Sequence, residues 1–272
     1  MKIIYFGAID KNFSNNQIFW RGFVKNGVKI VDVVIDTPIK PLNFSEDAGL
    51  KPVIKRIWAK LSVFPLVVKR WSEMKGADAL FVGYPGHFDI PFAYIIAKML
   101  RIPLIFYPVL ILSVTFRDDI KLFKSSSWKL KILTIFEKLI YRLCDVVIAD
   151  GPYQREVFQN EFGVPSQKLH YVYAGANDKL YPYSPTKNQR SHFNVVYYGM
   201  YTPLHGVEYV IKAAKLLSRN PHIKFLMVGN GKIFTKMYQL AINLQVKNIR
   251  FYPNVREPQA KPLLKQATVF LG

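Results

Sequence analysis

Glycines follow two apolar segments near the C-terminal end of the sequence, at positions suited to binding an anion. Phe193–Tyr198 stops at Gly199, and Ile223–Val228 ends in the Gly-Asn-Gly turn at 229–231. Both predict a strand, a turn and a helix, and successive parallel strands end at the same sheet edge. There glycine lets backbone amides approach a phosphate, and a helix N-terminus adds donors and partial positive charge. The alternative for each glycine taken alone is a simple tight turn.

The elements that would position these glycines form a repeated β-α-β series. The first half begins with a strand at 2–6, a polar loop at 7–16, a helix at 17–26 and a strand at 28–35. Near-continuous apolar strands without strict alternation predict a parallel sheet covered on both faces, hence an α/β fold. Further predicted strands lie at 79–82, 103–107, 145–149 and 169–173 in the first half, and at 193–198, 223–228, 249–252 and 267–271 in the second.

Two domains are predicted. The polar, proline-containing stretch 181–191 lacks periodicity and suits a linker. We therefore expect a first Rossmann-like domain at 1–183, a linker at 184–192 and a second Rossmann-like domain at 193–272. The second contains few strands and is expected to be incomplete.

Composition restricts the partners and the chemistry. Thirty-eight Lys and Arg against 18 Asp and Glu give a formal charge of +20, which favours nucleic acid, an acidic membrane surface or phosphorylated substrates. Cys144 is the only cysteine, which excludes an internal disulfide and a thiolate zinc site and predicts a buried small apolar residue. Met1 leads directly into a strand without a signal peptide, so a cytoplasmic location is expected.

A basic amphipathic segment lies at 51–71. Apolar residues, including Trp58 and Trp71, fall near one helical face, lysines and arginines supply most of the charge, and Pro65 predicts a kink. Such a helix can lie on an anionic membrane, which would make the protein peripheral on the cytoplasmic membrane face. The alternative is that its apolar face packs on the domain.

Several sequence stretches together resemble a known family. YYGMYTPLHGVEYVIKAAKLL, VGNGK, FYPNVREPQAKPLLKQATVFLG and, upstream, ADGPYQREVFQNEFGVPSQKLHYVYAGAND look like the group 1 (family 4) retaining glycosyltransferases of the GT-B fold. The resemblance implies a nucleotide diphosphate sugar as donor, a glycan or lipid-linked acceptor, no cofactor and no essential metal. It also implies that the chain is C-terminally truncated, so little or no transfer is expected from residues 1–272 alone.

The resemblance also suggests donor contacts. Relatives commonly carry an arginine after the first strand of the second domain and a lysine before the next helix, where this sequence has Met200 and His205. His205 could donate a hydrogen bond to phosphate, and Lys232 is a candidate compensating cation. The residues expected to contact the donor are Gly7, Gly199, His205, Gly229, Gly231, Lys232, Asn254 and Val255.

Acceptor contacts are expected in the first domain. The loop at 7–16 matches the family loop that faces donor phosphates and acceptor, and His87 is a candidate sugar contact. Asp89 more simply caps the next helix. Tyr107 stands where many relatives carry histidine or aspartate, so no catalytic residue is assigned, and 175–178 match the family's hinge. The expected acceptor or sugar contacts are Ser14, Asn15, Asn16, His87 and Asp89, and no metal site is expected.

Two alternatives to the transferase remain. Met200 and His205 favour a protein of the same fold that binds nucleotide sugars without catalysis. Charge alone favours a nucleic-acid binder, for which no recognised module is present, so no nucleic acid is expected as a partner. Hydrolase and NTPase functions lack their motifs, because neither a Gly-x-Ser-x-Gly elbow nor a P-loop occurs.

Overall fold

The structure is a computed structural model that describes residues 1–11, 13–36, 63–119, 122–173, 175, 193–255 and 257–271. The chain divides into two compact units, 1–177 and 178–272, each described here by itself. The linker predicted at 184–192 lies outside the described residues. The predicted domain bounds therefore stay a prediction.

The first unit alternates strands with helices. Its strands are β1 (Lys2–Ile9), β2 (Lys29–Asp36), β3 (Ala79–Val82), β4 (Leu104–Phe106), β5 (Val146–Ala149) and β6 (Leu169–Tyr171). Its helices are α1 (Ser14–Lys25), α2 (Val63–Met74), α3 (Ile90–Leu100), α4 (Leu112–Val114), α5 (Trp128–Leu143) and α6 (Pro152–Asn160). A 3-10 turn at Gly86–Asp89 precedes α3.

The described strands of the first unit form one parallel sheet in the order β2-β1-β3-β4-β5-β6. Alternate residues of β1 enter two cores. Ile4 and Phe6 pack in the core that includes buried residues of α2, α3, α5 and α6. Tyr5 and Ile9 pack in the core that α1 covers with Phe19, Trp20 and Phe23. The prediction of a parallel sheet covered on both faces is confirmed.

The polar loop predicted at 7–16 is wrong at both ends. β1 continues to Ile9, because Ala8 and Ile9 are buried and pair with the end of β2. Gly7 is therefore a strand residue. α1 begins at Ser14, so Ser14, Asn15 and Asn16 are helical.

Only part of the predicted amphipathic segment is described, since 51–62 lie outside the described residues. α2 is helical, as expected for 63–71. It buries Val63 and Val67 and exposes Phe64 and Val68. Pro65 falls in the first turn, where its missing N–H removes no helical hydrogen bond.

The second unit contains β7 (Phe193–Tyr198), α7 (Val207–Leu216), β8 (Ile223–Val228), α8 (Phe234–Asn243), β9 (Ile249–Tyr252), α9 (Glu257–Leu264) and β10 (Val269–Leu271). Its described strands pair in parallel in the order β10-β7-β8-β9. β7, β8 and β9 have the predicted bounds, and β10 begins two residues later than the predicted 267. The α/β class with two parallel sheets is confirmed, and the incompleteness of the second domain stays a prediction.

Candidate functional site

Three turns lie side by side at one edge of the second sheet. β7, β8 and β9 are parallel neighbours that end at Tyr198, Val228 and Tyr252, and the register pairs these residues in turn. The turns that follow the three strands are 199–202, 229–233 and 253–255. The sheet edge predicted from the glycines is therefore confirmed.

The glycines at this edge allow two backbone segments to touch. Gly229 has φ +132°, and a Cβ atom there would lie 2.0 Å from the carbonyl oxygen of Gly199. A Cβ atom on Gly231 would lie 2.7 Å from both the backbone nitrogen and the carbonyl oxygen of Tyr201. No L side chain fits at Gly229 without movement of the backbone.

The amides of these glycines already have protein acceptors. The Gly199 N–H donates to the carbonyl of Val228 (3.2 Å), and the Gly229 N–H donates to that of Tyr252 (3.1 Å). The Gly231 N–H donates to the side-chain oxygen of the preceding asparagine (2.8 Å). These amides hold the neighbouring turns together in this structure, and their contact with a phosphate stays a prediction.

Asn230 joins two of the turns. Its Nδ2 donates to Oδ1 of Asn254 at 2.5 Å, while its Oδ1 accepts the Gly231 amide. Asn254 has φ +58°, a left-handed conformation that asparagine tolerates. Asn254 is exposed and Val255 is half-buried at this edge. Their predicted contact with the donor stays a prediction.

His205 ends a 3-10 turn at Pro203–His205 and is separated from the first residue of α7 by Gly206. Its Nδ1 is 2.7 Å from the carbonyl oxygen of Met200, which also accepts the Tyr197 hydroxyl at 2.9 Å. A carbonyl only accepts, so Nδ1 carries a proton, and Nε2 of the neutral ring is then an acceptor. His205 can donate to an anion through Nε2 only as the imidazolium.

Lys232 lies in the second turn and is exposed. It lies after the carboxyl end of β8, whereas Lys224 lies at the amino end of the same strand. α7 begins at Val207, and the first amides of a helix lack intrahelical acceptors. The edge thus offers an exposed ammonium, an exposed imidazole and a helix N-terminus to an anionic ligand.

Gly7 and Asp89 pack against each other within the first unit. Gly7 has φ +121°, and a Cβ atom there would lie 3.1 Å from Cγ of Asp89. The Ala8 amide donates to Oδ1 of Asp89 at 3.3 Å. Asp89 occupies the N-cap position of α3, but its side chain makes no cap hydrogen bond. Its carboxylate therefore connects β1 to the turn before α3 rather than capping that helix.

Asn16 is buried and joins the chain after β1 to the chain after β3. Its Nδ2 donates to the carbonyls of Asp10 (2.8 Å) and Tyr84 (2.6 Å), and its Oδ1 accepts the Tyr84 amide (3.1 Å). These bonds occupy the side chain that was expected to contact a sugar. Ser14 is exposed and donates weakly to Oδ1 of Asn15 at 3.4 Å.

His87 is fully buried. Its Nε2 is 3.0 Å from the carbonyl oxygen of Leu110, and its ring lies edge-on to Phe106 with centroids 5.2 Å apart. In this conformation the ring has no surface for a sugar. His87 therefore joins two loops in this structure, and its contact with a sugar stays a prediction.

A chain of polar side chains lies at the carboxyl edge of the first sheet. Nδ2 of Asn15 donates to the Tyr107 hydroxyl at 2.9 Å, and that hydroxyl donates in a short hydrogen bond to Oδ1 of Asp150. Burial raises the pKa of Asp150, although the bond from Tyr107 opposes the shift. The pKa of Tyr107 is raised by burial and by Asp150. Asp150 was not predicted from the sequence, although it directly follows β5 as Tyr107 follows β4.

Gln154 connects Asp150 to Val109 by two hydrogen bonds. Its Oε1 accepts the Asp150 amide (2.8 Å), and its Nε2 donates to the carbonyl of Val109 (2.7 Å). Val109 has φ +62°, a conformation that β-branched residues rarely adopt. Strained residues of this kind are concentrated at functional sites, which favours a role for this edge.

Asn15 and Tyr107 open onto a pocket of about 270 Å³. Its walls are largely apolar, and the segment after β6 contributes Tyr173 and Gly175. Of the predicted hinge at 175–178, only Gly175 belongs to the described residues. The other lining residues are Ile18, Phe19, Gly22, Phe23, Asn26 and Val172.

Among the described residues, no group of three or more His, Cys, Asp or Glu is placed to hold a metal ion. The expectation that no essential metal is needed stays a prediction. Cys144 is fully buried, and burial raises the pKa of its thiol. Its prediction as a buried apolar residue is confirmed.

Residues 185–271 match the family model described as glycosyl transferases group 1. No curated protein matches the sequence. Three solved structures illustrate the similarity of the fold. Anabaena Alr3699/HepE in complex with UDP-glucose has a TM-score of 0.59 at 16% identity, over 95% of this chain and 71% of that one.

The other two are lipopolysaccharide enzymes. The outer core galactosyltransferase WaaB has a TM-score of 0.59 at 14% identity, over 99% of this chain and 73% of its own. WaaG, a glycosyltransferase involved in lipopolysaccharide biosynthesis, has a TM-score of 0.57 at 14% identity, over 99% of this chain and 74% of its own. At these identities the likeness establishes the fold. Residues 185–271 therefore match the group 1 glycosyl transferase family, and the chain has a GT-B-like fold of two α/β units, each built on a parallel sheet.

Proposed function

We propose that the protein transfers a hexosyl-type sugar from a nucleotide diphosphate sugar to a glycan or lipid-linked acceptor, with retention of configuration. The observation that carries the proposal is the family match over 185–271. Those residues include the paired Gly199 and Gly229 turns and the exposed His205 beside α7. Because the HepE complex contains UDP-glucose, UDP-sugars are the first donors to test.

The donor diphosphate is assigned to the carboxyl edge of the second sheet. Glycosyl transfer leaves a nucleoside diphosphate, so donors and cations at its oxygens stabilise the transition state. Nε2 of a protonated His205, the Lys232 ammonium and the first amides of α7 are the available groups. Asn254 and Val255 follow β9 at the same edge and are assigned to the nucleoside.

The acceptor is assigned to the pocket of the first unit. Asn15 and the Tyr107 hydroxyl provide polar atoms, while Phe19, Phe23 and Tyr173 provide apolar walls. Sites for small molecules commonly combine such walls with a few placed polar groups. In this arrangement Asp150 is a positioning residue. It accepts a hydrogen bond from the Tyr107 hydroxyl and so orients the lone pairs of that hydroxyl oxygen.

A second candidate is a protein that binds nucleotide sugars without transfer. Met200 and His205 stand where the family commonly has arginine and lysine, and a neutral imidazole supplies less charge than an ammonium. The peripheral membrane contact suggested for 51–71 and the cytoplasmic location remain predictions. No nucleic acid is expected as partner.

Thermal shift with a panel of nucleotide sugars tests donor binding, since a ligand of the folded state raises its stability. We expect at least one UDP-sugar to raise the Tm. Lys232→Ala should reduce the increase, and Lys224→Ala, an exposed lysine at the opposite end of β8, should not. Equal effects of the two variants would remove Lys232 from the donor site.

Turnover separates the two candidate functions. Release of nucleoside diphosphate should require an acceptor, and mass spectrometry should detect a glycosylated product. Binding without transfer across glycan and lipid-linked acceptors supports the binding protein. Salt-sensitive binding of nucleic acid, with no Tm increase from any nucleotide sugar, would overturn both.

A further inference from the structure

A second pocket of the first unit lies on the opposite side of α1 from the pocket assigned to the acceptor. Phe19 and Phe23 line the acceptor pocket, whereas Gln17, Trp20 and Arg21 of the same helix line this one. Its other wall is formed by β2, the outer strand of the sheet, and by the chain that follows β1. We call this cavity the α1–β2 pocket. Its volume of about 260 Å³ suits a single ring with its substituents, because drug-sized ligands occupy sites of roughly 300–1,000 Å³.

Asp32 provides a carboxylate whose hydrogen bonds are incomplete. It lies opposite Tyr5 in the register of β1 and β2, and both residues line the pocket. Its Oδ2 accepts a hydrogen bond from the Lys11 ammonium at 2.7 Å. Its Oδ1 is buried and has no hydrogen-bond partner among the described residues. A buried oxygen without a donor costs stability, and an exposed ion pair offsets little of that cost. A ligand that donates to this carboxylate therefore supplies an interaction that the protein lacks.

The Tyr5 hydroxyl lies near enough to Asp32 to be affected by its charge. Burial raises the pKa of Tyr5, and the Asp32 carboxylate raises it further, so the hydroxyl keeps its proton at neutral pH. Its hydrogen bond to Oδ1 of Asn16 is long, at 3.5 Å. The strand side of the pocket thus combines a hydroxyl with a carboxylate, and both can bond to the hydroxyls of a ligand.

The charged groups of the pocket favour an anion. Of the charged residues that line it, Lys11 and Arg21 are basic and exposed, and Asp32 is acidic. Lys11 gives one of its three N–H donors to Asp32, which leaves two for a ligand. Arg21 forms no ion pair with a described residue. The excess of positive charge attracts an acid group and repels an ammonium, so a ligand hydroxyl is the better donor to Asp32.

Trp20 adds an apolar surface suited to a ring. It is half-buried, and its ring lies edge-on to Tyr5 with centroids 5.4 Å apart. Ile9 continues this apolar wall from β1. The face of an aromatic side chain packs favourably against the C–H groups of another ring. Gln17, one helical turn earlier in α1, supplies an amide donor and a carbonyl acceptor.

We propose that the α1–β2 pocket binds an acidic sugar, which is a hydroxylated ring that carries a carboxylate or a phosphate. Its hydroxyls donate to Asp32, its acid group accepts hydrogen bonds from Arg21 and Lys11, and its ring packs on Trp20. A neutral sugar offers no partner to the two cations, and a simple anion has neither the hydroxyls nor the ring. Because the acceptor pocket lies on the other side of α1, this sugar binds in addition to the acceptor. The inference does not depend on sugar transfer.

Titration calorimetry of the full chain with glucuronate, glucose 6-phosphate and glucose tests the inference. At least one of the acidic sugars should bind roughly tenfold more tightly than glucose, and the tighter of the two identifies the acid group. Arg21→Gln should weaken that binding roughly tenfold, because a hydrogen bond between charged groups is lost. The matched control, Lys131→Gln, removes an exposed charge from α5 on the opposite face of the sheet and should bind as the unaltered protein does.

Asp32→Asn tests the part of the site that binds hydroxyls. The change weakens the acceptor but leaves both cations, so the affinity for the acidic sugar should fall relative to the affinity for inorganic phosphate. Binding should also change the fluorescence of Trp20. Trp20→Phe should abolish this change, and Trp128→Phe, which alters a tryptophan outside the pocket, should retain it.

Four results would overturn the inference. They are no binding of either acidic sugar, equal binding of glucose, unchanged affinity in Arg21→Gln, and inorganic phosphate that binds as tightly as the acidic sugar. Binding that Lys232→Ala weakens and Arg21→Gln does not would place the ligand at the edge of the second sheet and would also overturn it. Nucleotide-sugar binding, measured separately by thermal shift, distinguishes these failures from a failure of the proposed function.

Discussion

Gly229→Ala tests whether the glycine turn of the second sheet exists for close backbone contact. An alanine there must adopt φ +132°, and its Cβ would lie 2.0 Å from the Gly199 carbonyl oxygen. The unfavourable dihedral costs about 1–3 kcal/mol. Relieving the clash by shifting the backbone adds about 1–3 kcal/mol, by analogy with overpacked cores. We therefore expect the free energy of unfolding of the second unit to fall by about 2–6 kcal/mol.

The positions of the tryptophans allow the two units to be followed separately. Trp20, Trp58, Trp71 and Trp128 all lie in the first unit, whereas far-ultraviolet circular dichroism detects helices of both. In Gly229→Ala the dichroism should show an early transition, lowered by roughly 8 °C or more for a unit of this size. The fluorescence transition should stay where it is in the unaltered protein.

Gly22→Ala provides the matched control. Gly22 lies inside α1, and a Cβ atom there would meet nothing within 4 Å. This change should leave the dichroism of the second unit intact and stabilise the first unit by about 0.5–1 kcal/mol. If Gly229→Ala leaves both transitions in place, the turn tolerates a side chain and the argument from close contact is wrong.

Three further predictions concern titratable groups. His205→Lys should preserve or strengthen nucleoside diphosphate affinity, because an ammonium supplies a full positive charge, whereas His205→Ala should weaken it. Unchanged affinity in both variants by titration calorimetry would remove His205 from the donor site. Because burial raises the pKa of Asp150, the fall of kcat/KM at acid pH should have its midpoint above about pH 3.9. Asp150→Asn should remove this fall, and an unchanged pH profile in the variant would contradict the prediction. Burial also raises the pKa of Glu137, so the stabilisation that comes from its protonation is complete below the unfolded value of about 4.3 and is lost as pH rises through the folded value. Its hydrogen bonds from the Leu112 and Ser113 amides do not require the proton and remain at neutral pH. Glu137→Gln leaves one acceptor oxygen for two backbone amides. In urea titrations followed by tryptophan fluorescence, the free energy of unfolding should therefore fall by about 1–3 kcal/mol at neutral pH and depend less on pH. Equal stability of the variant and the unaltered protein at every pH would contradict this prediction.

Strand positions were predictable where turn residues bound an apolar run. Phe193–Tyr198 and Ile223–Val228 end directly before glycine, and the structure has the same bounds. β1 was predicted too short because Gly7 interrupts its apolar run. Burial of Ala8 and Ile9 and pairing with β2 carry the strand past that glycine. Such tertiary pairing is not visible in local sequence pattern.

The positions of the site residues were partly predictable from the order of the strands. Residues after parallel strands share an edge, which correctly brought Gly199 beside Gly229 and would also have found Asp150. The same rule does not tell whether a polar side chain faces a ligand or another loop. Asn16 bonds to Tyr84, 68 residues away, and His87 to Leu110, 23 residues away. These long-range partners give both side chains a structural role that the local sequence does not show.

The proposed donor edge depends on side chains for its positive charge, because the amides of Gly199, Gly229 and Gly231 are already bonded to protein acceptors. Of the described groups, Lys232 carries a fixed positive charge, while His205 contributes one only when protonated. Both are exposed, so salt screens their attraction for a diphosphate, with a Debye length of about 8 Å at physiological ionic strength. The amides at the start of α7 add a partial charge that depends less on pH. If this edge is the donor site, as we propose, these groups alone would hold a diphosphate weakly, so selective binding of a nucleotide sugar would require contacts to the nucleoside and the sugar as well. Asn254, which accepts a hydrogen bond from Asn230 after the end of β9, is one side chain that we propose for the nucleoside contact.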